Sequence, residues 1–256
     1  MSEVKVELSH YKHFISLGGN CYVAEDLKKL GLRDCSYPLD WCFSDDFSGI
    51  VSAIMLKFEN FVSKDFLLQH DSHRSRYYNE KYKLSFYHDF TKYLPLNKQI
   101  EDVAAKYSRR ITRFFNDISE PTVFFRYIIS KNDYDYIFHE HKNIDALLKS
   151  FCSDNRIIYL CHSDLLKNCD VEWFLLEKDE NDWITRNPLT KNAELRKMLC
   201  EIEYADKDRN IEFASRTKTT KKDRFSFERS FRRLLKKEYI HNKVYKKVDI
   251  DPSKTK

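Results

Sequence analysis

Short apolar runs and longer stretches of helical periodicity alternate along the first 205 residues. The runs at 12–17, 122–129 and 156–161 are continuous and apolar, as buried strands are. Between them, apolar positions recur every three or four residues, which is the period of an amphipathic helix. Strands separated by helices predict an α/β fold with a mostly parallel central sheet flanked by helices.

The same spacing predicts where the connecting helices lie. A short strand is expected over 84–90, and a last strand within 171–187. The polar, aromatic-rich stretch 70–82 is interpreted as an irregular excursion. The predicted helices span residues 21–30, 47–61, 96–115, 143–151 and 192–204.

Beyond residue 205 the composition shifts to Lys, Arg, Ser and Thr. Residues 216–256 hold 15 of the 45 Lys and Arg residues but only 5 of the 40 Asp and Glu residues, so the net charge of +5 comes from this end. Phe227, Phe231 and Leu234 share one face of a predicted helix whose other face is basic. We therefore expect an α/β catalytic-like domain over 1–205 and a basic extension with an amphipathic helix over 206–256.

The partner of this extension is left open by the pattern. A basic amphipathic helix packs on its own domain, contacts an anionic membrane through residues 224–240, or binds a partner protein. Nucleic acid is not expected, because the body of the chain is mildly acidic. No apolar run is long enough to span a membrane, and the first eleven residues lack the apolar stretch of a signal peptide. We expect a cytoplasmic protein, peripheral at the inner membrane face if the extension binds lipid.

Seven cysteines, an odd number without a CxxC pair, are expected to be reduced thiols. Most of them are expected to pack as small hydrophobic side chains. The histidine pairs His70/His73 and His139/His141 lack a nearby third ligand. We therefore expect neither a metal nor a cofactor.

Cys21 stands apart because it follows a glycine pair at a strand-to-helix turn. Gly18 and Gly19 are two of only four glycines, and Cys21 opens the first helix. The unpaired N–H groups and the dipole of a helix N-terminus favour a thiolate. Cys21 is therefore a candidate nucleophile, with the N–H groups of Cys21 and Gly19 and the Asn20 side chain as oxyanion donors. The alternative is a buried structural thiol that closes the corner.

Cysteine catalysis also needs a base and a group that orients it. His88 is the predicted base, with His162 as a second candidate. Asp40 is the predicted orienter, because Asp89 is adjacent to His88 and would point to the opposite face of a strand. Both residues have structural alternatives: a satisfied histidine for His88, and a turn cap for Asp40.

Four segments together resemble a bacterial and viral family of unknown function that is labelled as papain-like cysteine peptidases. They are Ser16–Cys21, Leu30–Arg33, Ser36–Trp41 and Phe86–Phe90. The resemblance covers most of the first 130 residues and continues weakly to residue 161. It implies a cysteine-nucleophile hydrolase or transferase acting on an acyl or amide bond of a peptide or acyl substrate. Leu39 departs from the family, which usually has Phe there.

Arg126, at the centre of an apolar strand, needs a partner. It is expected to form a salt bridge with Asp40 or Asp89, or to contact an anionic ligand. The second case supports an alternative function, because a Gly18-Gly19-Asn20 turn with Arg126 nearby would hold a phosphate. Members of the family often lie beside genes for surface polysaccharides. The alternative is therefore a non-proteolytic glycosyl or phosphoryl transfer on a sugar phosphate in surface-polysaccharide biosynthesis.

Overall fold

Two four-stranded sheets and the helices around them make up the described part of the chain, an α/β fold as expected. The computed structural model describes residue 8 and residues 10–70, 73–162, 173–176 and 185–205. The strands are β1 (His13–Ser16), β2 (Cys42–Phe43), β3 (Leu67–His70), β4 (His73–Asn79), β5 (Leu84–Phe86), β6 (Thr122–Tyr127), β7 (Arg156–His162) and β8 (Trp173–Leu176). The helices are α1 (Tyr22–Lys29), α2 (Phe47–Met55), α3 (Ile100–Asp117), α4 (Lys131–Lys149), α5 (Pro188–Lys191) and α6 (Ala193–Ala205).

The first sheet is parallel, with the strand order β1-β6-β7-β8. All six residues of β6 are buried, which explains the continuous apolar run there. The strands predicted around residues 12–17, 122–129 and 156–161 are confirmed as β1, β6 and β7. The last strand expected within 171–187 is β8.

The second sheet is antiparallel, with the order β2-β5-β4-β3, and it was only partly predicted. The stretch 70–82 is not an irregular excursion, because most of it forms β4, which pairs with β3 and β5. The burial of β4 alternates at its end, with Tyr77 buried and Tyr78 exposed. Aromatic residues suit such a half-buried pleated surface, and polar neighbours concealed the alternation.

Two helices differ from their predicted bounds. The second helix ends at Met55 rather than near residue 61, because Lys57, Phe58 and Asn60 have positive φ angles that end the helix. The fourth helix begins at Lys131 rather than near residue 143. The side chain of Ser130 caps its N-terminus by accepting a hydrogen bond from the Asp133 N–H at 3.0 Å.

The parallel sheet separates two apolar clusters. Alternate β6 residues point to opposite sides: Phe124 belongs to the larger cluster, and Val123 and Phe125 belong to the smaller one. The larger cluster includes the inner face of the antiparallel sheet, and the smaller one includes residues of α1 and α6. The antiparallel sheet therefore lies on one side of the parallel sheet, and α1 lies on the other.

The basic extension at 206–256 and its predicted amphipathic helix lie outside the described residues. None of the described helices is both long and apolar enough to cross a bilayer. The six described cysteines are free thiols.

Candidate functional site

The turn after β1 needs glycine at both positions. Gly18 and Gly19 have φ angles of +79° and +92°, a region that side chains with a Cβ rarely adopt. A Cβ on Gly19 would lie only 2.3 Å from the carbonyl oxygen of Tyr127. The backbone therefore passes directly over the end of β6, and this close approach sets the position of the next residues.

A backbone hydrogen bond joins this turn to the antiparallel sheet. The N–H of Ser44, just after β2, donates to the Gly19 carbonyl at 3.0 Å. Because β2 is the first strand of the antiparallel sheet, this bond brings the end of that sheet to the residues just before Cys21.

Cys21 lies at the N-cap position of α1, and its side chain is half-buried. Its thiol donates a hydrogen bond to the carboxylate of Glu25, one helical turn later. Within the described part of the chain, the N–H groups of Gly19 and Asn20 donate to no protein acceptor. These two donors and the start of the helix make the turn a favourable place for a negative charge.

Asn20 adds a third donor beside the thiol. Its Oδ1 accepts a hydrogen bond from the Tyr22 N–H at 2.9 Å, so the amide nitrogen must point the other way. This Nδ2 is buried and has no hydrogen-bond partner among the described residues. A buried amide nitrogen without an acceptor is costly in the resting protein, so a ligand oxygen bound there would be stabilised.

His88 lies two residues beyond β5, with an exposed side chain. Strands β2 and β5 pair through Cys42↔Phe86, so the turn before β2 and the segment after β5 lie at the same end of this strand pair. The imidazole meets the Trp41 ring edge-on, with 6.3 Å between the ring centroids. The motif around Trp41 and the motif around His88 therefore meet in space. Proton transfer between His88 and Cys21 stays a prediction.

Asp40 is fully buried, and the contacts of its carboxylate support the turn around it. Its Oδ2 lies 2.7 Å from Nη1 of Arg33 and accepts the Tyr37 N–H at 2.7 Å. Burial raises the pKa of Asp40 to about 6, although Arg33 and the Tyr37 N–H oppose this shift. The Oδ1 atom has no hydrogen-bond donor within the described ranges. The orienting role of Asp40 stays a prediction, and Oδ1 is the atom left for it.

Asp89 anchors the histidine segment to α3. Its carboxylate lies 2.5 Å from Nζ of Lys106 and accepts the hydroxyl hydrogen bond of Tyr107 at 2.8 Å. The guanidinium of Arg110 is 3.8 Å away. Asp89 therefore holds the chain on either side of it, including His88, through contacts with one helix.

Arg126 does not form the expected salt bridge with Asp40 or Asp89. Its Nη2 lies 2.5 Å from Oδ2 of Asp133 in α4, and both side chains are completely buried. The guanidinium also donates to the carbonyls of Leu17 at 3.0 Å and Ser44 at 2.9 Å. The prediction failed because Asp133 reaches Arg126 only through the packing of α4 on the sheet, which sequence spacing does not reveal.

His162, the second candidate base, ends β7 and is buried. Its Nε2 lies 2.9 Å from the hydroxyl of Tyr127, which in turn accepts the Thr185 N–H at 2.7 Å. Because that hydroxyl accepts from Thr185, its own hydrogen is available for Nε2. The Tyr127 hydroxyl, at the end of β6, therefore contacts both His162 of β7 and Thr185, which precedes α5.

The site also contains a residue that sequence reasoning missed. Glu25 stands four residues after Cys21 on the same face of α1, and burial raises its pKa. Lys29 and Arg33 act in the opposite direction on this pKa. The i, i+4 spacing from a candidate nucleophile was the signal that would have identified it.

Two other thiols near the motif lie in environments that disfavour the thiolate. Burial raises the pKa of Cys35 to about 11, and it raises the pKa of the fully buried Cys42 further. Cys35 is half-buried like Cys21. It is therefore a natural internal control for the reactivity of Cys21. No group of three or more His, Cys, Asp or Glu side chains suited to a metal occurs in the described ranges.

Comparison with known proteins places residues 12–162 within a family model described as "Putative papain-like cysteine peptidase (DUF1796)". A protein of Acanthamoeba polyphaga mimivirus, itself described as uncharacterized, is 30% identical over 121 residues. The aligned region is 40% of this chain and 54% of the viral protein, so the chain spans about half the length of that relative. No solved structure matches the chain.

Proposed function

Because the chain belongs to the family described as papain-like cysteine peptidases, we propose that it is a cysteine-nucleophile hydrolase or transferase acting on an acyl or amide bond. The observation that carries the proposal is the turn before α1. It holds a half-buried thiol next to two backbone N–H groups and a buried amide nitrogen, and these three donors have no acceptor in the described part of the chain. Such donors stabilise the oxyanion of a tetrahedral intermediate.

The proposed reaction assigns each residue one task. His88 takes the proton of Cys21, and the sulfur attacks the carbonyl carbon, so that a C–S bond forms. The N–H groups of Gly19 and Asn20, with the Asn20 amide, hold the oxyanion. The intermediate then collapses, and His88 returns the proton to the leaving amine or alcohol. Water in a hydrolase, or a second nucleophile in a transferase, releases the acyl group from Cys21.

Alkylation by iodoacetamide tests the nucleophile and its base. At about pH 7 we expect Cys21 to be alkylated at least about tenfold faster than Cys35, whose thiolate is suppressed by burial. His88→Ala should slow Cys21 to near the rate of Cys35 and leave Cys35 unchanged. Peptide mass spectrometry measures each site separately. Equally slow alkylation of both thiols would contradict the proposal, and so would a Cys21 alkylation rate that is unchanged in His88→Ala.

Acyl transfer itself is assayed with a small activated ester such as p-nitrophenyl acetate. We expect an acetyl group on Cys21, detected by peptide mass spectrometry, and its loss in Cys21→Ala. Cys35→Ala is the matched control and should acylate normally. Asn20→Ala should lower the acylation rate about 10²-fold or more, the usual effect of removing an oxyanion donor.

The alternative, phosphate binding for surface-polysaccharide biosynthesis, depended on Arg126 facing an anion. Arg126 is fully buried, and both of its Nη atoms are engaged by Asp133, Leu17 and Ser44. The turn itself suits a phosphate as well as an oxyanion. With Arg126 engaged in this way, no observation on the described residues favours this function over the cysteine chemistry.

A further inference from the structure

Glu25 touches the proposed nucleophile through the geometry of α1. Residues 21 and 25 are one turn apart, so their side chains share one face of the helix. The Cys21 thiol donates its hydrogen to the Glu25 carboxylate. A thiol that donates a hydrogen bond is held in one direction and keeps its proton.

The charges around Glu25 compensate its carboxylate only in part. Lys29 and Arg33 favour its ionised form, whereas Asp26 opposes it. Lys29 also contacts Asp26 at 3.3 Å, and Arg33 is engaged by Asp40 at 2.7 Å. Each cation is therefore shared with a second carboxylate. Burial outweighs both cations, and the pKa of Glu25 is raised.

We propose that Glu25 is a positioning residue that holds the resting Cys21 thiol in its protonated form and sets the pH at which the thiolate appears. This inference rests on the proposed function of Cys21. A carboxylate beside the sulfur opposes a second negative charge there, which works against the N–H groups of the glycine turn.

The pH profile of Cys21 alkylation tests the role of Glu25. Glu25→Gln keeps the shape and removes the charge, and we expect the profile midpoint to fall by about 1 pH unit. At a pH below the midpoints of both the native chain and Glu25→Gln, the variant then has about tenfold more Cys21 thiolate. Each thiolate is less basic and therefore about threefold less nucleophilic. The alkylation rate at about pH 6.5 should therefore rise about threefold. A purely structural role would leave the midpoint unchanged.

Asp34→Asn is the matched control. Asp34 is exposed, and its carboxylate acts on Cys35, whose pKa it helps to raise. We expect this variant to lower the midpoint of Cys35 and to leave Cys21 unchanged. Alkylation of the buried Cys42 shows whether each variant is folded, because this thiol reacts only if the protein unfolds around it.

An unchanged or higher midpoint for Cys21 in Glu25→Gln, with Cys42 still protected, would overturn the inference. Different results would contradict the proposed function: a Cys21 alkylation rate that does not change in His88→Ala, and no acyl group on Cys21 after treatment with the ester. A lowered midpoint in Glu25→Gln supports the role of Glu25 in either case.

Discussion

Two buried arginine–aspartate pairs flank the site, and they are built alike. Arg126 pairs with Asp133 and lies over the Phe47 ring at 4.7 Å, and Arg33 pairs with Asp40 and lies over the Trp41 ring at 5.5 Å. Burial raises the carboxyl pKa in both pairs. The pairs differ in what else each arginine reaches.

Arg126 reaches only structural groups of the fold. Its Nη atoms also donate to the carbonyls of Leu17 and Ser44, so it joins the ends of β1 and β2 to α4. A Cβ on Gly18 would stand 3.4 Å from Nη1, an ordinary contact, so glycine is favoured there by its φ of +79° rather than by space. Arg126 is therefore an anchor beneath the glycine turn.

Arg33 instead faces groups of the proposed reaction. Its charge acts on Glu25, which holds the Cys21 thiol, and it stacks on Trp41, which meets His88. The neighbours of the arginine therefore distinguish the two pairs. Arg126 binds backbone carbonyls and anchors the fold, whereas Arg33 lies near groups of the proposed reaction. Asp40 contacts Arg33 through Oδ2, and a contact of its Oδ1 with the imidazole stays a prediction.

The largest expected effect is the loss of stability in Arg126→Met. The variant leaves the Asp133 carboxylate buried without its partner, and we expect the free energy of unfolding to fall by about 3–5 kcal/mol. Urea denaturation followed by circular dichroism measures it. Lys131→Met, on the helix that carries Asp133, is the control: it removes an exposed ion pair with Asp135 and should cost less than about 0.5 kcal/mol. Equal losses in the two variants would contradict the anchoring role.

A smaller effect is expected in the pH dependence of stability. The pKa of Asp40 is about 6 in the fold and about 3.9 in an unfolded chain, so the folded state binds a proton more tightly. The stabilisation from this site is therefore present below about pH 4 and is lost as the pH rises through about 6, a change of about 3 kcal/mol.

Asp40→Asn removes this titration. Its unfolding free energy should vary less than that of the native chain between about pH 4 and 7. Some variation should remain, because the pKa of Asp133 is raised as well. Identical pH profiles for Asp40→Asn and the native chain would show that Asp40 does not carry the expected proton.

The smallest effect concerns the coupling of Arg33 to the thiol. Arg33→Met removes a positive charge near Glu25, so we expect the alkylation midpoint of Cys21 to rise by less than about 1 pH unit. Lys28→Met, which removes an exposed cation from α1, should shift the midpoint less. A midpoint that falls in Arg33→Met would contradict the coupling.

The parallel sheet was predictable, whereas the antiparallel sheet was not. Strands β6 and β7 are buried on both faces, so their sequences are continuous apolar runs that stand out from their surroundings. Strand β4 belongs to a sheet with only one buried face and mixes Arg, Ser and Tyr, which hid its alternation. The early end of α2 depends on three residues with positive φ, none of them glycine, and composition does not signal this.

At the site, local sequence was sufficient for residues 18–21 and insufficient for their partners. The family predicted from the motifs is confirmed, and the glycine pair, the thiol and the helix start follow from adjacent residues. Glu25 could also have been predicted from local sequence, since helical spacing alone brings it to Cys21. The distant contacts of Arg126, Asp40 and His88 were not.

The sequence by itself therefore determined the strand, the glycine turn and the helix that begins at Cys21, because backbone sterics and helix periodicity act over a few residues. Tertiary structure decided which carboxylate each cation meets: Asp133 for the buried Arg126, Asp40 for the buried Arg33, and Asp89 for the partly exposed Lys106. A buried cation must find a partner, but any nearby carboxylate satisfies that need. Only the packing of α3, α4 and the two sheets around the glycine turn selects among them.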